Sequence, residues 1–389
     1  MDYTPLRRTL DKTEVQRITS GLKELRAGFS NKVPAKGAGT LLLATWNIRE
    51  FGGPKYGGRM QDARFFIAEC INHFDLIAVQ EVRSNLDELR RIMRLLGPHW
   101  DVIFTDVSYA QGGNSERLAF LFDKNQVSFT GLAGEIVLPP SDSKLVAQVA
   151  RTPFICGFQA GWAKFNLCTV HIYYGKGDQN PRRVGEINAT AAILAKKAKD
   201  YYTNVDRQIA YSPENLVLLG DFNIAKHSDK TFKALEANGF IIPEALQKLP
   251  GSNVAKDKFY DQIAFFKRTE GLTTRQAGVF DFYEYVYRDE NAYAKQFKAT
   301  NARNFKDWRT YQMSDHLIMW TQFDVDKTDT YLDEIANGPA ADGSTSKKSK
   351  SKNKTAKKAK TVKKAKAAKK KMRAPKKKAA KKSGRKRGG

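Results

Sequence analysis

Residues 215–224 read NLVLLGDFNI. Leu216, Val217, Leu218 and Leu219 form an unbroken apolar run, as expected for a strand covered on both faces. The run stops at Gly220 and delivers a carboxylate, Asp221, and an amide, Asn223. A carboxylate at the end of a buried strand is costly unless a partner or a metal neutralises it. This one stretch therefore predicts a strand in an α/β core with a polar site at its end.

The same pattern recurs along the chain. Short apolar runs lie at LLLATWNI (41–48), DLIAVQEV (75–82), DVIFTDV (101–107), RLAFLFD (117–123), KFNLCTVHI (164–172), DQIAFF (261–266) and HLIMWTQFDV (316–325). Between them lie helical patterns. Phe66, Ile67, Cys70, Ile71 and Phe74 share one face, and so do Val184, Ile187, Ala191 and Leu194. Alternation of this kind predicts an α/β protein with one continuous core. Near the N-terminus, Val15, Ile18, Leu22, Leu25 and Phe29 make one helical stripe, expected to pack on the main domain. No stretch is long and apolar enough to span a membrane, and the N-terminus lacks the apolar centre of a signal peptide. Cys156 and Cys168 lie on either side of a hairpin centred on Trp162. With only three Cys in the chain, they are expected as reduced thiols, and the protein as soluble and intracellular.

The strand ends share a chemistry. They carry Asn47, Glu81, His171, Asp221 with Asn223, and the pair Asp315–His316. Oxygen donors of this kind suit hard divalent cations, Mg²⁺ above all. Two His without a Cys set argue against structural zinc. Imidazole titrates near neutral pH, so one ring can accept a proton while another, kept cationic, donates a hydrogen bond.

Eight short motifs carry a resemblance. TWNIR (45–49), VQEVR (79–83), SERLAFLF (115–122), VARTPF (149–154), TVHI (169–172), LLGDFNI (218–224), FYDQIAF (259–265) and SDHL (314–317) occur in this order. Each alone is weak; the ordered set resembles the DNase I-like endonuclease/exonuclease/phosphatase superfamily over about residues 40–325. The resemblance implies a four-layer sandwich, two packed mixed β-sheets flanked by helices, with the site at one end of the sheets. It implies Asn47, Glu81 and Asp315 as the metal shell, with Mg²⁺ as cofactor and Mn²⁺ as a substitute. It implies His171, His316, Asp221 and Asn223 as catalytic residues. Glu116 is expected behind His171, and Asp261 behind His316. Arg151 and, from the loop QGGN, Asn114 are expected phosphate contacts. Gln262 stands where such sequences often carry a basic residue, which removes one phosphate contact. Residues 267–313 match none of these motifs and are read as a segment that shapes substrate choice.

Charge divides the chain unevenly. The net charge is +26, and residues 344–389 hold 20 Lys and 3 Arg with no acid. Without those 23, the remaining 44 basic residues face 41 acidic ones. The tail has almost no large apolar side chain and is expected to be disordered when free. Its AKKAKTVKKAKAAKKK pattern looks like the C-terminal domains of linker histones and of histone-like bacterial proteins. Without aromatic residues it should bind polyanions without reading sequence. The expected organisation is an N-terminal helix and linker (1–38), the main domain (39–325), a linker (326–346) and a nucleic-acid-binding tail (347–389).

The function so expected is that of a Mg²⁺-dependent phosphodiesterase, a monomeric DNA endonuclease held on DNA by its tail, with RNA a second polyanion. It would work in the nucleoid or cytoplasm of a bacterium, or in a nucleus. Three other readings stay open at this point: an abasic-site repair endonuclease, an inositol or lipid phosphatase, and a non-enzymatic chromatin-binding protein.

Overall fold

The computed structural model describes residues 1–8, 11–109, 112–139, 148–204, 215–266, 272 and 274–337. The Lys-rich tail therefore lies outside the described residues. Among the described residues, twelve strands form two six-stranded sheets. They are β1 (Thr40–Phe51), β2 (Leu76–Arg83), β3 (Trp100–Phe104), β4 (Glu116–Asp123), β5 (Ser128–Glu135), β6 (Phe154–Ala160), β7 (Ala163–His171), β8 (Asn215–Asp221), β9 (Phe240–Ile241), β10 (Asp261–Phe266), β11 (Thr274–Phe280) and β12 (Ile318–Asp324). The first sheet runs β11-β12-β1-β2-β4-β3 and the second β5-β6-β7-β8-β10-β9. Both are mixed: β1 with β2 and β7 with β8 are parallel, and every other neighbouring pair is antiparallel.

The period of two divides β1 between two cores. Leu41 and Leu43 point to the second sheet, where Phe165, Leu167, Val217, Leu219 and Ile263 meet them. Leu42, Ala44 and Trp46 point the other way, to helices α1 (Lys12–Lys32), α2 (Gln61–Asn72) and α3 (Asp87–Leu96). Helices α4 (Pro181–Asn204) and α5 (Lys230–Ala237) cover the second sheet through Ile187, Ala191, Leu194, Phe232 and Leu235. The result is the expected sandwich of two packed mixed sheets between helices.

The N-terminal helix is part of this body. Ile18, Leu22, Leu25 and Phe29 are buried, as the stripe predicts. Two acids of α2, Asp62 and Glu69, are buried beneath it. Arg17 meets Asp62 through two hydrogen bonds of 2.7 and 2.9 Å, and Arg26 meets Glu69 at 3.0 Å. Breaking such a pair from one side leaves a buried charge uncompensated. Arg17→Leu is therefore expected to lower the unfolding free energy by about 3 kcal/mol. Arg17→Leu combined with Asp62→Leu should recover most of it. Chemical denaturation measures both; a single-variant loss within error of zero would mean that Asp62 is solvated in the folded state.

Within residues 267–313, the described aromatics build core on the outer face of the first sheet. Phe280 stacks on Phe29 at 3.7 Å, Phe282 lies 5.3 Å from Trp46, and Trp308 is buried with Tyr287 and Tyr293. The stretch 326–346 opens not as linker but as a helix, Thr328–Asn337. Asp326 accepts hydrogen bonds from the Thr328 amide and hydroxyl, and Trp162 Nε1 donates to Thr328 Oγ1. Its polar composition conceals a local start signal. Cys70, Cys156 and Cys168 are all buried free thiols. The hairpin pairs Cys156 with Leu167 and Cys168 with Ile155, so the two thiols are out of step by one position. Among the described residues, no helix is long and apolar enough to cross a membrane.

Candidate active site

Backbone irregularity at the strand ends builds the site. The β1–β2 ladder slips between Asn47 and Phe51, and the β2–β4 ladder slips between Val79 and Val82. Glu81 sits within that slip at φ +62°. A left-handed backbone costs a non-glycine residue on the order of 1 kcal/mol and persists only where the surroundings over-determine it. Here the Glu81 carboxylate accepts from Asn47 Nδ2 at 3.0 Å and from the Glu50 amide at 2.7 Å. Asn223 is likewise left-handed, at φ +54°. Its amide donates to Asp221 Oδ1 at 2.8 Å and its Nδ2 to the Ile172 carbonyl at 2.8 Å.

Gly220 sets the approach of β7 to β8. A Cβ there would stand 2.2 Å from the Val170 carbonyl oxygen, and the residue's φ is +130°. That close approach registers His171 beside Asp221, and Asp261 registers on the far side of Asp221.

One oxygen is the centre of the arrangement. Asp221 Oδ2 accepts from Asn47 Nδ2 at 2.9 Å and lies 3.5 Å from His171 Nε2 and 3.7 Å from His316 Nε2. Behind His316, Nδ1 is 2.8 Å from Asp261 Oδ2. Behind His171, Nδ1 is 3.1 Å from Glu116 Oε2 but makes no aligned hydrogen bond. Each imidazole thus faces Asp221 with one nitrogen and a second carboxylate with the other. Ser314 joins the two halves: its hydroxyl donates to the Asn47 carbonyl at 2.5 Å and accepts from the His316 amide at 3.0 Å.

Electrostatics differ across the site. Burial alone would raise the Glu116 pKa, but His171 and the Arg151 guanidinium outweigh it and hold it at about 2. Partial burial and the neighbouring Glu116 keep Glu81 above the ordinary range, against the pull of His171. Burial disfavours the His316 imidazolium, but Asp261, Asp221 and Asp315 together raise its pKa well above the usual value. The three carboxylates therefore favour the cationic form of His316.

Asn47, Glu81, His171, Asp221, Asn223, Asp261, Glu116 and His316 all meet in this one place. Ligand atoms of Glu81, Glu116 and His171 lie within 4.8 Å of one another, a grouping that could hold a metal ion. Asp315 is part-exposed, with its carboxylate 3.5 Å from Arg49, and stands near enough to Glu81 and His316 for its charge to raise the pKa of both. Arg151, expected on phosphate, is buried behind the site, with Nε 2.6 Å from Glu116 Oε2. Its guanidinium is there because Glu116 needs a counter-charge where water is excluded. Asn114 is exposed at φ +55° and its carbonyl accepts from Arg83. It lies on the rim of an open groove of about 500 Å³ lined by Glu50, Gly52, Pro54, Arg83 and Asn85. Gln262 is buried and donates to the Phe259 carbonyl at 2.8 Å.

Sequence reasoning missed Arg49, Arg83 and Arg183. Arg49 lies over the Tyr311 ring at 3.7 Å, and Arg83 is 3.3 Å from Glu50 and 3.6 Å from Glu116. Arg183 is buried and donates to the carbonyls of Tyr173, Tyr174, Asp178 and Asn223. Arg49 and Arg83 each close a quoted motif, which was the available signal. Arg183 had none, because its partners are backbone oxygens.

Several solved structures are similar to this chain at low identity. The human Nocturnin catalytic domain with bound sulfate is 14% identical, with a TM-score of 0.49, over 74% of this chain and 96% of that one. A D. rerio TDP2 complex with a single-strand DNA product is 14% identical, at 0.48, over 73% and 99%. A Bacteroides thetaiotaomicron mannosyl-6-phosphatase is 17% identical, at 0.47, over 73% and 99%. No curated protein matches the chain by sequence. The family model does: residues 44–316, a span that takes in strands of both sheets and every strand-end residue described above, match the endonuclease/exonuclease/phosphatase family, and the chain belongs to that family.

Proposed function

We propose that the protein is a metal-dependent phosphodiesterase that cuts nucleic acid, DNA first, with Mg²⁺ as cofactor and Mn²⁺ as a substitute. The observation that carries this reading is the convergence of Asn47, His171 and His316 on Asp221 Oδ2. A divalent cation fits the donor set on its own chemistry. Asn47 Oδ1 is buried without a hydrogen-bond partner while its Nδ2 is doubly engaged. Glu81 offers a carboxylate that burial keeps uneasy as an anion. Asn47, Glu81 and Asp315 would hold the ion; Glu116, already balanced by Arg151, serves His171 instead. When bound, such an ion supplies a polarised phosphate and water of lowered pKa.

The chain's own residues do the rest. Asp221, fixed by Asn47 and the Asn223 amide, orients the attacking water and takes its proton. As the water oxygen bonds to phosphorus, the bond to the leaving sugar oxygen breaks, and that oxygen takes a proton from solvent. His316, kept cationic by Asp261, donates a hydrogen bond to a non-bridging phosphate oxygen as charge builds there. Glu116 and Arg151 keep His171 aimed at Asp221. DNA as the polymer rests on the charge of residues 344–389, since dense cationic charge is drawn to a line of phosphates.

Plasmid nicking tests the reading. Supercoiled DNA should relax with Mg²⁺ or Mn²⁺ and stay intact with chelator, and His316→Ala should lower the rate about 10²-fold. Retardation of DNA in a gel without any strand break would make this a binding protein.

A further inference from the structure

Beside His316 the surface is aromatic. Tyr260 lies with its ring centroid 5.5 Å from that of His316, tilted by 33°. Tyr174 lies 6.3 Å further on, edge to face with Tyr260 at 85°. Tyr174 is 58% exposed, though it is a large aromatic residue one loop away from the catalytic groups.

The loop that carries Tyr174 is tied down. Glu186 accepts from the Tyr173 amide at 3.0 Å, and Asn180 Nδ2 donates to the Lys176 carbonyl at 3.1 Å. Arg183 donates to the carbonyls of Tyr173, Tyr174 and Asp178 and, with the same guanidinium, to that of Asn223. One buried cation thus locks the loop to a residue of the catalytic centre. The Arg183 guanidinium also stands 5.2 Å from the Tyr174 ring centroid and backs it. A surface tyrosine of no consequence needs no such anchoring. An exposed ring held at fixed distance from a phosphate site is what stacking on a flat heterocycle requires. Lys176, in the same loop, is exposed, and Lys258 pairs with Asp178 of that loop at 3.1 Å.

We propose that Tyr174, supported by Tyr260, is the stacking platform for a nucleobase next to the phosphate that meets His316. The proposal rests on the nuclease reading and names a base, not a sugar or a lipid chain, as what the site reads. Two pairs of ligands that differ only in the base test it. Thymidine 5′-phosphate and abasic deoxyribose 5′-phosphate are compared in binding by calorimetry. Their 4-nitrophenyl diesters are compared in turnover with Mg²⁺.

The wild type should favour the thymidine member of each pair about tenfold. Tyr174→Ala should collapse that preference to parity, and Tyr174→Phe, which keeps the ring, should retain it. Circular dichroism confirms that the variants fold. Equal binding of both monophosphates by the wild type overturns the platform, and so does a preference that survives Tyr174→Ala. A base preference in binding that depends on Tyr174, with neither diester hydrolysed in Mg²⁺ or Mn²⁺, upholds the platform and sinks the nuclease reading alone.

Discussion

Asp221→Asn lowers the rate of phosphodiester cleavage by about 10⁴-fold while leaving the fold intact. The substitution keeps shape and removes charge. Asp221 is buried, and its Oδ2 alone serves Asn47, His171 and His316. An amide in its place accepts no proton from water and, with its nitrogen toward Asn47, sets donor against donor. It also withdraws one of the anions that keep His316 cationic. Three functions fail together, which is why the loss should exceed that of His316→Ala. Single-turnover kinetics measure it, with far-ultraviolet dichroism and chemical denaturation as controls on folding. A loss below tenfold would take Asp221 out of the chemistry.

Truncation after Gly343 is the second large effect, and it falls on binding. The deleted segment carries 23 cationic charges, and what remains is nearly balanced at 44 against 41. If the segment neutralises roughly six to ten phosphates, the full chain should lose about 10³-fold or more in duplex affinity between 50 and 200 mM salt. The truncated chain should lose less than about tenfold over that range, because few counterions remain to be released. Fluorescence anisotropy with a labelled duplex gives both slopes. Hydrolysis of a small phosphodiester should be the same in both chains. Equal salt slopes would mean that the folded part makes the phosphate contacts.

The strands that were legible in the sequence are those with apolar runs. β1, β2, β3, β4, β7, β8, β10 and β12 each coincide with one. The strands that were missed lack such a signal for physical reasons. β5, SFTGLAGE, lies at a sheet edge and is almost wholly exposed, so it needs no apolar face. β9 spans two residues, and β11 is an edge strand with Arg275 and Gln276 exposed; β6, interrupted by Gly157, was legible only as one arm of the hairpin about Trp162. The helix Thr328–Asn337 was read as linker because no residue in it is buried, and burial is what drives an apolar stripe.

The sequence by itself determined which residues end the buried strands, and hence that Asn47, Glu81, His171, Asp221 and His316 belong to one polar end of an α/β fold. Side-chain polarity at a strand terminus is local, and it can be read one residue at a time. Only the tertiary structure decided which atom they share, where Arg151 and Asp315 turn, and that Arg183 binds the Tyr174 loop to Asn223. These depend on ladder slips, on left-handed backbone at Glu81 and Asn223, and on the close approach that Gly220 permits. Each is set by packing between segments far apart in the chain, and no single segment carries the information.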